Sequence, residues 1–416
     1  MRFICGLCLA GYLCAQSPAE KLTLDQAVAE ALEKNLVLLA ERSNIAIAEA
    51  RVLTARLRPN PVVSVGGDHM DLLGTGFNDL NAGGPSEFSL RTDFLWERGG
   101  KRRLRTEVAE AARSVAQLQF LNSVRGVVLD VQSAFVDALL ARDSLALARE
   151  NLSSLNQIVE INAARVKAGD LAEVELIRSR LAALQFETSV RQAELKLRAA
   201  LVRLQTFLGR SKPSPSFDVA GDLSRAKAAP ALEELRTSAR ELRPDLRALN
   251  RDRERAEAEL RSQIAQGKVD CTLGTEYRRQ QVAAKSNSLG VFLNVPLPVF
   301  NRNQGEIERA RQERQQIHWR VGALEAAIAA EVENAYQQFL TARSLLEAIE
   351  GQMVGQARDV REITEFSYKR GEATLLQLLD AQRAFNETMQ AYNEARAEYA
   401  RNLYLLDAVS GKAVTR

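Results

Sequence analysis

The segment Val166-Lys-Ala-Gly169-Asp-Leu-Ala-Glu-Val-Glu-Leu176 occurs a second time, in altered form, as Tyr368-Lys-Arg-Gly371-Glu-Ala-Thr-Leu-Leu-Gln-Leu378. The two glycines lie 371 − 169 = 202 positions apart, and each interrupts an otherwise continuous helical pattern. The similarity extends outward over residues 126–209 and 327–411. Two copies of one long helical hairpin predict a pseudo-symmetric component of an assembly.

Long segments without proline predict unusually long helices. No proline occurs between Pro85 and Pro213 or after Pro298. Proline inside a helix costs about 3 kcal/mol, so its absence permits helices of great length. A helix over about 101–167 would extend roughly 100 Å.

Coiled-coil spacing runs through the last segment, where mostly apolar residues step by four and three alternately. The positions are Leu378, Gln382, Phe385, Met389, Tyr392, Arg396, Tyr399, Leu403 and Leu406. This period of about 3.5 residues predicts left-handed supercoiling of neighbouring helices. A fibrous coiled coil and the wall of a channel explain it equally well.

Two pairs of alternating segments interrupt the helical pattern. Glu87–Trp96, Val269–Arg278 and Ser288–Val295 alternate apolar and polar residues, and Pro61–Met70 does so more weakly. Alternation over about 10 residues suits a transmembrane β-strand, and equally an amphipathic hairpin on a soluble core. The flanking long helices and the Gly-, Asn- and Ser-rich loops favour transmembrane strands with external loops.

Transmembrane strands would expose their apolar faces to lipid. The residues assigned to that face are Phe88, Leu90, Phe94, Trp96, Leu273, Tyr277, Leu289, Val291 and Leu293. Four strands are too few to close a barrel, since the smallest bacterial barrels have about eight. Open strand edges pair with other chains, so the sequence predicts its own oligomerisation.

The first 15 residues predict an export signal, with Arg2 before an apolar run at 3–13 and the small Ala15 at the cleavage point. Cleavage there leaves Cys271 as the single cysteine, which excludes an internal disulfide. Cys14 offers lipidation as an alternative, although the residues before it make a poor lipobox. An exported chain without a later hydrophobic span is periplasmic, extracellular or part of an outer-membrane barrel.

The sequence then divides into a signal peptide at 1–15, a first repeat at 16–209, a linker at 210–229 and a second repeat at 230–416. Each repeat is predicted to contain a helix, two strands and a long helical hairpin. The fold class is therefore mainly α with a small β part.

Several segments resemble the outer-membrane efflux (TolC-like) family, and the resemblance covers essentially all of the mature chain. They are Leu22–Asn35, Arg58–Pro61, Gly99–Arg102, Leu242–Leu246 and Pro296–Glu306. The last is most similar to the branch that serves cobalt-zinc-cadmium or copper exporters with an RND-type pump.

The resemblance implies a homotrimer whose duplicated hairpins form an α-helical barrel through the periplasm. Three copies of four strands would share a 12-stranded barrel in the lipid of the outer membrane. The channel would receive metal cations from an inner-membrane RND-type pump through a periplasmic adaptor protein. Adaptor docking falls on the turns, at Gly169, Asp170, Gly371 and Glu372.

The resemblance also implies a periplasmic gate built from acidic residues beyond the second turn. Asp380 matches one such position, whereas Gln377 stands where a second carboxylate is expected. Glu175 is the corresponding candidate in the first copy. Three Asp380 carboxylates near one axis would favour cations and repel one another.

Other chemistry is not indicated by the sequence. His69 and His318 are far apart, and no catalytic or phosphate-binding motif is present, so we expect no enzymatic activity, cofactor or metal site. With 56 basic and 53 acidic residues, the chain has no overall field for nucleic acid. Two alternatives stay open: a duct for drug efflux or type I secretion, and a periplasmic coiled-coil scaffold.

Overall fold

The computed structural model describes residues 20–70, 72–74, 85–223, 231–280 and 286–412, and long helices predominate in this part of the chain. The helices are α1 (Leu24–Lys34), α2 (Leu36–Arg56), α3 (Lys101–Ala168), α4 (Glu173–Phe207), α5 (Leu232–Leu242), α6 (Pro244–Gln266), α7 (Gln304–Ala348), α8 (Val354–Arg370) and α9 (Leu375–Val409). The strands are β1 (Glu20–Leu22), β2 (Val62–Asp68), β3 (Glu87–Trp96), β4 (Phe217–Val219), β5 (Cys271–Gln280) and β6 (Ser286–Asn294). The predicted export signal and Cys14 lie outside the described residues.

The chain forms two compact units, each assembled from separate stretches of sequence. The first takes its described residues from 1–39, 123–239 and 330–416, and the second from 40–122 and 240–329. The four longer strands belong to the second unit, and both long hairpin turns belong to the first. The division into sequential repeats remains a prediction.

The core of the first unit lies between the long helices. Phe339 of α7 and Tyr399 of α9 are both fully buried, with ring centroids 5.4 Å apart. All nine positions of the predicted 3.5-residue pattern on α9 are buried or half-buried. The pattern therefore marks the packed face of this helix, as expected for an amphipathic stripe.

α3 contains 68 residues without interruption, in agreement with the proline-free segment. The second copy differs, because a π-helical segment at Ile349–Met353 separates α7 from α8. A π-helical segment widens the turn by one residue and frequently marks a functional position. This segment is not among the predicted elements.

A short parallel pair of strands was also missed by the sequence analysis. β1 pairs with β4, with Leu22 opposite Val219. β4 lies inside the segment interpreted as a linker, and Phe217 and Val219 are buried. The Arg142 side chain donates to the Val219 and Gly221 carbonyls at 3.0 and 2.7 Å, which holds this segment against α3.

β2, β3, β5 and β6 form one antiparallel sheet in that order. β3 has the predicted limits, whereas β5 starts and ends two residues later than predicted. Within the described residues, no helix combines the length and hydropathy required to cross a membrane.

Candidate functional site

The two hairpin turns have the same backbone geometry. Gly169 and Gly371 adopt φ of 83° and 82°, the left-handed region that glycine enters without a steric penalty. In the first hairpin turn (residues 169–172), Gly169 N–H donates to the Val166 carbonyl at 3.1 Å and Asp170 N–H to Arg165 at 2.9 Å. This pair of bonds is a Schellman motif, which ends a helix by satisfying its last carbonyls.

The second hairpin turn (residues 371–374) repeats both bonds. Gly371 N–H donates to the Tyr368 carbonyl and Glu372 N–H to the Ser367 carbonyl, each at 2.9 Å. The four residues predicted for adaptor docking are therefore the turn residues of two geometrically equivalent helix ends. Their docking role remains a prediction.

The helices that leave the two turns start differently. Thr374 caps α9 in a capping box, in which its hydroxyl accepts from Gln377 N–H and the Gln377 side-chain oxygen accepts from Thr374 N–H at 2.8 Å. Ala172 stands at the matching position before α4 and makes no side-chain cap. Unlike the second turn, the first therefore leaves a helix N-terminus without a side-chain acceptor.

Gln377 and Glu175, the two gate candidates other than Asp380, each form hydrogen bonds with neighbouring residues. The carbonyl of Gln377 serves the capping box, so only its amide nitrogen is available for other contacts. Glu175 is the matched residue of the first copy, and it accepts from Arg178 at 2.8 Å. The sequence carried a signal for the first of these roles, since Thr-x-x-Gln is a capping-box spacing.

Asp380 lies one turn further along α9 and is exposed in the chain. Among the residues that the structure describes, no cation forms an ion pair with its carboxylate. The matching position in α4 is held by Arg178, which is also exposed. An exposed carboxylate without a partner is suited to attract a passing cation, and whether it lines the conduit remains a prediction.

A buried hydrogen bond joins the hairpins close to their turns. The Tyr368 hydroxyl of α8 donates to the Asn162 side-chain oxygen of α3 at 2.7 Å. Burial raises the pKa of the Tyr368 phenol, so the hydroxyl remains a proton donor at neutral pH. The sequence analysis missed this pair, because no local pattern relates residues 206 positions apart.

Arg165 adds a second connection between α3 and the end of α8. Its guanidinium donates to the Tyr368 carbonyl at 3.3 Å and to the Lys369 carbonyl at 2.5 Å. A cation at the C-terminal end of a helix satisfies free carbonyls and complements the helix dipole. Arg165 of the first hairpin thus caps the C-terminal end of α8 in the second hairpin.

The sheet of the second unit has one apolar face that is exposed along its length. In the observed register Leu90 lies opposite Tyr277, Phe94 opposite Leu273, and Leu273 opposite Leu293. All nine residues assigned to the lipid-facing side are exposed in the chain: Phe88, Leu90, Phe94, Trp96, Leu273, Tyr277, Leu289, Val291 and Leu293. Contact with lipid is not observed directly and remains a prediction for each of them.

The opposite face of the sheet is charged and hydrogen-bonded. Arg91 pairs with Asp93 at 2.9 Å and lies 4.8 Å from the centre of the Phe292 ring. Arg278 pairs with Glu276 at 2.8 Å and with Glu87 at 3.3 Å. The sheet therefore separates a largely apolar side, with Arg279 opposite Phe88 near one end, from a side of paired charges, the pattern of a strand that faces lipid and water alternately.

Among the described residues, no group of three or more His, Cys, Asp and Glu side chains could hold a metal ion. Cys271 is a free thiol opposite Trp96 in the sheet register.

The turns and the sheet define a class of protein. The family model described as "Outer membrane efflux protein" matches residues 27–210 and 235–412. The chain belongs to this family. It is an outer-membrane efflux channel protein, and the family and fold are those of channels.

Relatives of this chain agree with that assignment. It is 24% identical to the cobalt-zinc-cadmium resistance protein CzcC of Cupriavidus metallidurans over 95% of this chain and 91% of that protein. It is 24% identical to nodulation protein T of Rhizobium leguminosarum bv. trifolii, covering 92% and 84% of the two. The crystal structure of the Campylobacter jejuni CmeC outer membrane channel shares the fold, with a TM-score of 0.77 at 14% identity over 94% and 86% of the two chains.

Proposed function

We propose that three copies of this chain form the exit duct of a tripartite efflux system. The observation that carries the proposal is the four-stranded sheet, which has one exposed apolar face and ends at two edges, β2 and β6. In lipid every backbone polar group needs a partner, so an open edge must pair with another copy. Three sheets would give 3 × 4 = 12 strands, within the range of closed outer-membrane barrels.

The two hairpin turns would form the docking surface for a periplasmic adaptor. Their equivalent Schellman geometry supports this, because each copy would present two similar turns and a trimer would present six. Gly169, Asp170, Gly371 and Glu372 would contact the adaptor, which connects the duct to an inner-membrane RND-type pump. This chain would supply a passive path, without a cofactor or enzymatic step.

Asp380 would set the ionic preference of the periplasmic gate, with Gln377 and Glu175 beside it. The exposed and unpaired carboxylate supports this role for Asp380, whereas the capping box and the Arg178 ion pair weaken the other two candidates. Charge rings favour ions of the opposite sign, so three Asp380 carboxylates would favour cations.

The cargo we propose is metal cations, from the similarity to the cobalt-zinc-cadmium resistance protein over nearly the whole of both chains. The similarity to nodulation protein T is nearly as extensive and supports a second candidate, a duct for another class of cargo. Growth of a gene-deletion strain distinguishes them. Loss of tolerance to cobalt, zinc or cadmium, restored by the gene and not by its Asp380→Asn form, supports metal export.

The assembly is tested by fractionation and by mass in detergent. A heat-modifiable trimer in the outer membrane is the expected result, and a soluble monomer or dimer would contradict the proposal. Docking is tested by crosslinking from cysteines placed at Asp170 and Glu372, with Arg191, an exposed position on α4 away from the turns, as the control. Equal crosslinking of the adaptor from all three sites would exclude the turns as its docking surface.

Reversal potentials in planar bilayers test the gate. Asp380→Asn should reduce the preference for cations, and Asp359→Asn, an exposed carboxylate on α8, serves as the matched control. Equal effects of the two substitutions would remove Asp380 from the constriction.

A further inference from the structure

A cationic cavity lies at the point where β3 passes into α3. Its volume is about 350 Å³, and the side chains that matter are Arg58, Trp96, Glu97, Lys101, Arg102 and Arg103. Arg58 precedes β2 and the others end β3 or begin α3, so two consecutive segments of the second unit meet here. The cavity is outside the gate, the turns and the predicted lipid-facing surface, apart from Trp96 at its edge.

Most of the charges in the cationic cavity are neutralised by neighbours. Lys101, which is buried, pairs with Asp270 at 2.7 Å. Glu97 accepts from Arg105 at 2.7 Å. Arg103 pairs more loosely with Glu107, at 3.5 Å.

Arg58 and Arg102 are the exceptions. Both are exposed, and among the described residues neither forms an ion pair or a side-chain hydrogen bond. Each guanidinium keeps its forked set of donors free, and this set matches two oxygens of a phosphate group. The cavity therefore presents two uncompensated positive charges with unused donors.

The position of Trp96 shows where the cationic cavity lies along the apolar face of the sheet. It is the last residue of β3 on that face, and 73% of its surface is exposed. Tryptophan is enriched where acyl chains give way to headgroups, since its ring is apolar and its N–H is polar. On the proposed function, the helical end of the sheet faces the periplasm, which places the cationic cavity at the headgroups of the inner leaflet.

We infer that the cationic cavity binds the phosphodiester of a net-anionic phospholipid such as phosphatidylglycerol. The phosphate would lie between Arg58 and Arg102, and Trp96 would contact the glycerol and upper acyl region. A phosphatidylethanolamine headgroup fits less well, because it is net neutral, whereas the cationic cavity presents two uncompensated positive charges. This inference rests on the proposed membrane position of the sheet and adds a lipid ligand to it.

The test uses Trp96 as its reporter. The chain has two tryptophans, and Trp319 is exposed on α7, so Trp319→Phe leaves Trp96 as the only one. The full-length trimer is placed in bilayers that contain a minor share of lipid brominated on its upper acyl chain. Quenching of Trp96 fluorescence is then compared for brominated phosphatidylglycerol and brominated phosphatidylethanolamine.

We expect phosphatidylglycerol to quench Trp96 more strongly than phosphatidylethanolamine does. In Arg58→Gln/Arg102→Gln this preference should be lost, and each substitution should lower the preference for phosphatidylglycerol by about fivefold. Arg42→Gln/Arg98→Gln removes two exposed charges of the same unit that do not line the cavity, and should keep the preference. Equal loss in the two double variants would show diffuse attraction and overturn the inference. Release of quenching by soluble glycerol phosphate would show a site for free phosphate esters and also overturn it.

Conductance and trimer mass are measured on the same preparations. A conducting trimer without a headgroup preference contradicts only the lipid site. A chain that does not enter the bilayer contradicts the proposed function as well.

Discussion

The Tyr368 hydroxyl and the Asn162 side-chain oxygen lie 2.7 Å apart, in a hydrogen bond that joins α8 to α3. Both residues are buried, and the Asn162 amide nitrogen has no hydrogen-bond partner among the described residues. The bond is therefore the main polar contact available to Asn162 in a low-dielectric setting. Such a bond is costly to remove from one side only.

Tyr368→Phe should lower the free energy of unfolding by about 1–3 kcal/mol, because the Asn162 oxygen then stays buried without a donor. Thermal unfolding of the detergent-solubilised protein measures the loss. Asn162→Leu combined with Tyr368→Phe removes both polar groups and should recover most of it. A double variant no more stable than Tyr368→Phe would show that the hydrogen bond is not the source of the effect.

The same bond predicts a definite pH dependence. Burial raises the folded-state pKa of Tyr368, while the phenol has a pKa of about 10 in the unfolded chain. The folded chain then binds the proton more tightly, so the contribution is complete below about pH 10 and is lost as pH rises further. The stability difference between wild type and Tyr368→Phe should stay constant from about pH 6 to 9 and shrink at higher pH. A difference that changes within the neutral range would assign the titration to another group.

The helix caps predict opposite effects at matched positions of the two turns. Thr374→Ala removes the acceptor for Gln377 N–H and should cost about 1 kcal/mol at the start of α9. Ala172→Thr creates a Thr-x-x-Glu capping box with Glu175, and the extended backbone of Ala172 (φ −67°, ψ 141°) already suits a cap. It should stabilise the start of α4 by up to about 1 kcal/mol.

Amide hydrogen exchange at Gln377 measures the stability of the start of α9, and exchange at Glu175 measures that of the start of α4. Exchange should be faster at Gln377 in Thr374→Ala and slower at Glu175 in Ala172→Thr. Thr388→Ala is the control, since its hydroxyl bonds the Ala384 carbonyl within α9. If it accelerates exchange at Gln377 as much as Thr374→Ala, the effect is not one of capping.

Sequence reasoning reached the long helices, the glycine turns and the sheet because each has a local cause. Absence of proline permits α3, positive φ selects Gly169 and Gly371, and alternation identifies β3 to its final residue. The alternation of apolar and polar residues does not show where strand pairing stops, so β5 begins and ends two residues later than predicted. β1 and β4 have three residues each, too few to show a period.

The candidate site was less accessible to the sequence, because its contacts join distant positions. Arg165 caps α8 from a helix that ends about 200 residues earlier, and nothing near Arg165 in the chain indicates its partner. The Thr-x-x-Gln spacing at Thr374 indicates a capping box, a local role for Gln377 that competes with its predicted role at the gate. Likewise, the sequence does not show that Glu175 has a cationic partner while Asp380 has none among the described residues. This difference depends on where the Arg178 side chain lies in the structure.

The effect of each glycine-to-alanine substitution on stability should depend on the backbone conformation of that glycine and on the space around the added methyl group. Gly371→Ala has open space around the new methyl group, so its cost is the left-handed backbone alone, about 1–2 kcal/mol. Gly209→Ala adds an overlap with the Lys34 backbone carbonyl and should be far more damaging. Gly322→Ala lies inside α7 with open space and should stabilise by about 0.5–1 kcal/mol. Thermal midpoints test the order, and a neutral Gly371→Ala would show that the turn tolerates another geometry.

Charged substitutions on the two faces of β6 should differ in their effect on membrane insertion. Val291→Arg places a cation on the exposed apolar face, where burial in lipid costs about 2–4 kcal/mol at the bilayer centre. Asn294→Arg adds the same side chain on the opposite face, three residues along the same strand and opposite Thr272, where it would face water rather than lipid. The yield of heat-modifiable trimer in outer-membrane fractions should fall severalfold for Val291→Arg and stay near wild type for Asn294→Arg. Equal yields would mean that the apolar face is covered by protein, and the periplasmic scaffold would then explain the sheet better than a lipid-facing barrel.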